Sequence, residues 1–265
     1  MKIFYFVPLF FLASIFFGMI GIGGGVLYTP LQIFLGIPVH NAVATSLFII
    51  VFSATSATVV YAKNRKIDLK LALILETATA IGAFTAGYLS KYVPERFIVV
   101  LFSVVLFTVA IMMIRGSVFR TQSKKLYPKY LILWHREFMG EKYTVPLLLA
   151  IPISVVAGSV ASLCGIAGGT VKVPLMVLLF GVPMDIAIGT STFMIAVTAL
   201  SGLLGHAISG HFQIWAVPLG LSVLIGGNIG ARIAIKTSKG KLRKIFGYFL
   251  LFVSLTMLFR TFFHK

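Results

Sequence analysis

The chain has 265 residues, of which 59% are hydrophobic and only 11% charged, whereas soluble domains average about 25% charged residues. Its 23 Lys and Arg against 6 Asp and Glu give a formal net charge of +17. These basic residues lie in short runs between apolar blocks, where they act as membrane-topology signals rather than as a nucleic-acid surface. The single cysteine, Cys164, excludes an internal disulfide and a thiolate metal cluster.

In chain order, the apolar blocks predict a polytopic helical membrane protein of the cell membrane. Residues 3–62 contain no Asp, Glu, Lys or Arg, which is room for more than one span of about 20 residues. Further apolar blocks follow at residues 71–90, 97–114, 144–164, 173–208, 212–235 and 245–259. We therefore expect an all-α, multi-pass fold surrounded by lipid.

An internal repeat divides the chain into two homologous halves. Residues 21–48 align with residues 165–193 when Phe180 is treated as an insertion, and the shared frame reads G-I-x-G-G, P-L, G-x-P and A-x-x-T-S. Downstream, Gly82 matches Gly226, as expected at close helix contacts. The predicted divisions are a first transmembrane repeat at 1–114, a basic cytoplasmic linker at 115–143 and a second transmembrane repeat at 144–265.

The loop charges indicate that the two halves are inverted relative to each other. An excess of Lys and Arg marks the cytoplasmic side, and it occurs in residues 63–70, 115–142 and 236–244 but not in 206–211. An odd number of crossings must then separate the linker from 206–211. We predict about three full spans per half plus a re-entrant hairpin, with its tip, residues 36–38 or 181–183, inside the membrane. A plain eight-span bundle is the alternative.

The repeated Thr-Ser pairs are the candidate substrate site. They follow the Gly-x-Pro breaks, where the unpaired N–H groups and dipole of a helix start favour an anion. Inversion would bring both helix starts to the middle of the membrane, so we expect a site for a small oxyanion there. The candidate ligands are Thr45, Ser46, Thr190, Ser191, Asn41, Gly24, Gly25, Gly168 and Gly169. The alternative is that the hydroxyls bond to carbonyls of the preceding turn or of a neighbouring helix.

Other features of the membrane segments leave two interpretations open. The glycine runs lack the Lys-Ser/Thr ending of a P-loop, so no nucleotide or other cofactor is expected. Glu76 and Asp185 are candidates for proton coupling, although Glu76 could reach an interface and Asp185 could cap a helix. Lys172 could attract an anion or extend to the interface. The expected partners are membrane lipid and a small anion, with homo-oligomerisation left open.

On the paired glycine, Pro, G-x-P and A-x-x-T-S motifs, the sequence resembles the TauE/SafE family of sulfite and organosulfonate exporters, also called TSUP. The resemblance covers nearly the whole chain. It implies a permease without enzyme activity that moves sulfite, sulfoacetate or a related organosulfonate, with export favoured, and we expect alternating access. The alternatives are a membrane enzyme or sulfur relay using Cys164, and an ion channel.

Overall fold

The computed structural model describes residues 7–20, 25–115, 132–236 and 240–263. These residues form ten α-helices, one short 3-10 helix at Ser90–Tyr92 and one β-hairpin. The first half contains α1 (Val7–Ile20), α2 (Gly25–Phe34), α3 (Val39–Lys63), α4 (Leu69–Leu89) and α5 (Glu95–Arg115). The hairpin consists of β1 (Leu133–Phe138) and β2 (Glu141–Pro146). The second half contains α6 (Leu147–Cys164), α7 (Gly169–Leu178), α8 (Met184–Ile208), α9 (Ala216–Lys236) and α10 (Gly240–Phe263).

The helices are those of a membrane protein. Within the described residues, five helices are long and apolar enough to cross a bilayer, and these are α3, α4, α5, α6 and α8. Shorter apolar stretches lie in α9 and α10, at Ala216–Gly230 and Gly247–Phe259. The all-α membrane fold is therefore confirmed, with the β-hairpin as an addition. The number of spans per half stays a prediction.

Both halves repeat the same order of elements. Each has a ten-residue helix, α2 or α7, followed by a 25-residue helix, α3 or α8. Helices of one half pack on helices of the other. Helix α6 of the second half packs on α4 of the first, and α1 of the first half packs on α9 of the second. The two long helices also pack together, as do α5 and α10. The two repeats therefore share one helical bundle.

Glycines allow the backbones of neighbouring helices to touch. A Cβ at Gly82 of α4 would lie 2.2 Å from the Val155 carbonyl oxygen of α6, and one at Gly158 would lie 2.1 Å from the Thr79 carbonyl oxygen. In the same way, a Cβ at Gly226 of α9 would lie 2.8 Å from the Phe11 carbonyl oxygen of α1. The predicted close packing at Gly82 and Gly226 is confirmed.

Helices α3 and α8 run antiparallel, which defines two ends of the bundle. The histidine end contains His40 of α3, Ser90, and His206 and His211 at the end of α8, and the ring centroids of His40 and His211 are 4.7 Å apart. The hairpin end contains β1 and β2, the α3–α4 loop and the start of α8, where Lys66 Nζ lies 3.1 Å from Asp185 Oδ2.

The predicted position of the hairpin tips is wrong. Pro38 directly precedes α3, and His40 two residues later lies at the histidine end, whereas Pro183 precedes α8 at the hairpin end. A 25-residue helix is about 37 Å long, which exceeds the hydrocarbon core of about 30 Å. The Gly-x-Pro turns therefore lie at opposite ends of the bundle, because the helices that follow them have full length.

The chain break inside the bundle lies instead at the second glycine run. Between α6 and α7, Gly165, Ala167 and Gly168 have φ angles of 67°, 49° and 78°. Ile166 and Ala167 are fully buried. Irregular backbone at this depth is tolerated when protein surrounds it. The corresponding residues of the first half, 21–24, lie outside the described residues.

The linker holds a β-hairpin that the sequence reading missed. A two-residue turn, Met139 and Gly140, has φ of 55° and 80°, as a type I′ hairpin turn requires. The hairpin docks on Asp68, the N-cap of α4, whose Oδ1 accepts from Arg136 at 2.7 Å and whose Oδ2 accepts from the Tyr143 hydroxyl. Burial alone would raise the pKa of Asp68, but the hydrogen bonds from Arg136, Tyr143 and the Leu71 amide hold it below the usual value.

We expect Gly158→Ala to lower the free energy of unfolding by about 1–3 kcal/mol, the usual cost of overpacking, because its methyl group would overlap the Thr79 carbonyl. Val156→Ile adds one carbon to the same helix at a side chain that is 62% exposed, so it should leave stability unchanged. Melting temperatures in detergent compare the two variants. Equal stability of the two would contradict the close contact between α4 and α6.

We expect Tyr143→Phe to lower the stability at neutral pH by about 1.5–3 kcal/mol, as for a hydrogen bond to a charged group. Because the folded-state pKa of Asp68 is depressed, this stabilisation is present above the ordinary Asp pKa of about 3.9. It is lost as the pH falls through the folded-state value. Thr144→Val is the control, since the Thr144 hydroxyl contacts the exposed His135. The free energies of unfolding of the two variants should differ at neutral pH and converge in acid. A constant difference at every pH would show that the Asp68 charge is not involved.

Candidate functional site

An ion pair is buried in the middle of the bundle, where α4, α7 and α8 meet. Lys172 Nζ donates to Glu76 Oε2 at 2.8 Å, and both side chains are only about 3–4% exposed. The ammonium group also donates to the Met194 carbonyl at 3.3 Å and to the Thr198 hydroxyl. The Thr198 hydroxyl in turn donates to Glu76 Oε1. The three side chains form a closed ring of hydrogen bonds, which we call the buried ion-pair cluster.

The fold positions each member of this cluster. Glycine contacts hold α4 against α6, and α8 packs along α4 where Gly205 lies under the Phe84 carbonyl. The break after Cys164 starts α7 inside the bundle, so that Lys172 falls in its first turn. A Cβ at Gly168 would lie 3.3 Å from Cε of Lys172, so a side chain there would press on the lysine stem. The buried ion-pair cluster therefore depends on the second glycine run.

The structure does not bring the two predicted Thr-Ser pairs together. Thr45 and Ser46 lie near the start of α3, and the Leu47 side chain of that helix approaches Gly202, near the end of α8. Thr190 is twelve residues before Gly202 in the sequence, which corresponds to roughly 18 Å along the helix. The expected convergence of all four hydroxyls on one anion fails because α3 and α8 are full-length and antiparallel.

Most of these hydroxyls already bond within the protein. Ser46 Oγ accepts from Gln32 Nε2 at 2.9 Å, Thr190 Oγ1 accepts from the Asp68 N–H at 3.1 Å, and Ser191 Oγ donates to the Ile188 carbonyl at 2.8 Å. Thr45 Oγ1 is buried without a hydrogen-bond partner. The alternative interpretation, a bond to a carbonyl of the preceding turn, therefore describes Ser191. Ser46 and Thr190 instead accept hydrogen bonds from N–H groups, and Thr45 is the one with an unused hydroxyl.

The other predicted ligands lie in different places. Asn41 is half-buried in the first turn of α3, at the histidine end, and Gly25 begins α2. Gly24 lies outside the described residues. Gly168, with φ of 78°, is the N-cap of α7 and Gly169 is its first residue. Gly168 and Gly169 are thus close to Lys172, whereas Asn41 lies at the histidine end of the bundle.

The two predicted coupling carboxylates have opposite surroundings. Glu76 is buried in the ion-pair cluster and does not reach an interface. The Asp185 side chain is 65% exposed and pairs with Lys66 at the hairpin end. It does not cap α8, since the N-cap residue is Pro183 and no side-chain cap bond is present there. Of the two carboxylates, Glu76 therefore lies in the interior of the bundle and Asp185 at its surface.

The histidine end has a polar cluster of its own. Ser90 Oγ lies 3.1 Å from His206 Nδ1 and 3.3 Å from His211 Nδ1, and His206 Nε2 lies 3.2 Å from the Ser162 carbonyl. Burial lowers the pKa of His211, and His40 lowers it further. Among the described residues, no group of three or more His, Cys, Asp or Glu side chains has a metal-binding arrangement. Cys164, the end of α6, is fully buried.

Sequence reasoning named Glu76 and considered Lys172, but it missed that they pair, because 96 residues separate them. One signal was available in the repeat. Lys172 occupies the position of Tyr28 in the first half, so the aligned halves differ in charge there. Thr198 lies outside every motif and could not have been found from the sequence.

Comparison with known proteins gives a consistent result. Residues 6–257 match the family model described as sulfite exporter TauE/SafE. The probable membrane transporter protein YunE of Bacillus subtilis (strain 168) is 30% identical over 226 residues, which cover 81% of this chain and 82% of the relative. The probable membrane transporter protein MJ0441 of Methanocaldococcus jannaschii is 25% identical over 266 residues, 92% of each chain. No solved structure matches.

The family match spans nearly the whole chain, and the relatives are named as transporters rather than enzymes. The apolar helices of the bundle agree with that classification. The chain is a multi-pass membrane transporter and belongs to the sulfite exporter TauE/SafE family.

Proposed function

We propose that this transporter carries a small sulfur-containing anion, such as sulfite, sulfoacetate or another organosulfonate, out of the cell by alternating access. The observation that carries the proposal is the buried ion-pair cluster. Ionisable side chains inside membrane segments are costly and are usually retained for function. Lys172 is a buried cation next to a break in the helix, where an anion needs a positive partner. The choice of a sulfur-containing anion is based on the match to the family described as sulfite exporter TauE/SafE.

Alternating access is supported by the way the halves pack. The antiparallel pair α3 and α8, and the exchanged contacts of α1 and α6, have the arrangement expected of an inverted repeat. Separate polar contacts hold each end of the bundle. The Asp68, Arg136 and Tyr143 contacts hold the hairpin end, and the histidine contacts hold the other. Each end therefore has its own set of contacts, as a mechanism in which the two ends open in turn requires.

Proton coupling is assigned to Glu76. Helix α6 packs against α4 and has no charged residue, while α8 faces the pair with the Thr198 hydroxyl and the Met194 carbonyl. Asp185 and His206, near the two ends of α8, lie away from it. Lys172 of α7 is therefore the charged group that faces Glu76 within the described residues. A proton on Glu76 leaves the lysine charge uncompensated in a medium of low polarity.

We expect Glu76→Gln to abolish the pH dependence of sulfoacetate counterflow in proteoliposomes while sulfoacetate binding stays measurable, because the side chain keeps its shape but can no longer take up a proton. Sulfoacetate is the substrate of choice because it stays ionised near neutral pH, whereas sulfite itself exchanges protons there. Asp185→Asn is the matched control and should keep the wild-type pH dependence. An unchanged pH profile in Glu76→Gln would remove Glu76 from the coupling step.

The two repeated threonines give a second test, because their hydroxyls differ in the structure. Thr190→Val leaves the buried Asp68 N–H without an acceptor and should lower stability by about 1–3 kcal/mol. Thr45→Val removes a hydroxyl without a partner, so stability should be unchanged or slightly higher. Melting temperature and sulfite Kd are measured on the same samples.

A substrate role for Thr45 predicts weaker sulfite binding in Thr45→Val at unchanged stability, by roughly tenfold or more if the hydroxyl donates to the anion. Wild-type affinity in that variant would remove Thr45 from the substrate site. Equal melting temperatures of the two variants would contradict the hydrogen bond between Thr190 and Asp68.

A further inference from the structure

The buried ion pair occurs in only one of two equivalent places. Lys172 aligns with Tyr28, and Thr198 aligns with Ser53 in the 25-residue helix of the first half. In the register that matches Gly82 with Gly226, Glu76 aligns with Gly220. The equivalent place is filled without charge, since Tyr28 stacks on Phe10 at 5.4 Å and Gly220 packs under Phe48. The repeated fold therefore forms without such a pair, and its presence near α7 needs another explanation.

Stability alone does not account for the pair. Removing two charges from water costs several kcal/mol per ion, and apolar replacements of a buried pair are often neutral or stabilising. What the pair does impose is a charge balance, because Lys172 needs one negative partner at close range. Any event that neutralises Glu76 creates a demand for another anion at that place.

We propose that Lys172 is the anion-binding residue of this transporter, and that ionised Glu76 and the substrate oxyanion occupy its ammonium group in alternation. The proposal rests on the function proposed above. A sulfite or sulfonate group presents oxygens that can replace the carboxylate oxygens as acceptors for Lys172 and Thr198. Once Glu76 has taken up a proton, its carboxyl O–H is a further donor to the anion. One proton, on Glu76, and one substrate anion, on Lys172, therefore occupy the site at the same time.

The second glycine run contributes to this exchange of Glu76 for the substrate anion at Lys172. Gly168 leaves space for the lysine stem, and the break lets Lys172 approach the start of α7, where the helix dipole adds positive potential. The chemistry of the site selects a small oxyanion rather than a cation or a sugar. Exchange of one carboxylate for one anion at Lys172 then predicts a coupling of one proton to each anion that is bound.

Titration calorimetry of the purified protein with sulfite and with sulfoacetate, in buffers of different ionisation enthalpy, tests the exchange. The wild type should bind more tightly in acid, and its Glu76 should take up about one proton for each anion bound. Glu76→Gln should bind at neutral pH at least as tightly as the wild type does in acid, with no proton exchange beyond that of sulfite itself. Because sulfite itself exchanges protons near neutral pH, Glu76→Gln also serves as the blank.

Lys172→Met alone leaves a buried, unpaired carboxylate and is expected to fold poorly. The double variant Glu76→Gln/Lys172→Met leaves no uncompensated charge, so it should fold and yet lose roughly a hundredfold or more in affinity for both anions. The matched control is Glu137→Gln/Lys142→Met, which removes an exposed pair at 3.6 Å and should bind as the wild type does. Counterflow is measured on the same proteins.

Wild-type affinity and counterflow in Glu76→Gln/Lys172→Met would overturn the role of Lys172 while leaving the proposed transport of sulfur anions in place. Binding without proton uptake in the wild type would overturn the alternation with Glu76. Absence of binding and counterflow of both anions in the wild type would overturn the proposed function together with this inference.

Discussion

The contact between backbones at glycines on α4 and its partners is the constraint on which the interior depends. Gly158 and Gly82 place α6 against α4, and Gly205 places α8 against the same helix. These contacts leave no room for a methyl group, so α6 and α8 lie as close to α4 as backbone contact allows. At that spacing a lysine on α7, a carboxylate on α4 and a hydroxyl on α8 share hydrogen bonds. Wider spacing would leave two charges unsatisfied in lipid-like surroundings.

Much of the architecture could be predicted because it follows from repeated local signals. Apolar block length predicts the helices, and the repeated glycine, proline and Thr-Ser frame predicts two equivalent halves. Gly82 and Gly226 were found from their matching positions. The depth of the Gly-x-Pro turns could not be predicted in the same way, since such a turn serves equally well inside a bundle or at its end. The length of the following helix decides between the two, and the structure gives 25 residues for both α3 and α8.

The contents of the site were less accessible to sequence reasoning. A motif names residues that repeat, whereas the buried cluster consists of residues that do not repeat. Thr45 and Thr190 look identical in the sequence, but one hydroxyl has no partner and the other accepts from Asp68. The β-hairpin was missed because its residues lie in a linker judged by its charge, although Met139 and Gly140 form its turn. The repeated motifs therefore define the shared helical framework, whereas the buried ion-pair cluster consists of residues that differ between the two halves.

The burial of Cys164 has a practical consequence. It is the only cysteine of the chain and ends α6 directly before the break. In the folded state its sulfur is shielded from a thiol-reactive dye, and it becomes accessible when the end of α6 separates from its neighbours. The rate of dye attachment to the native protein is therefore a built-in reporter of opening at this break, obtained without introducing any foreign residue.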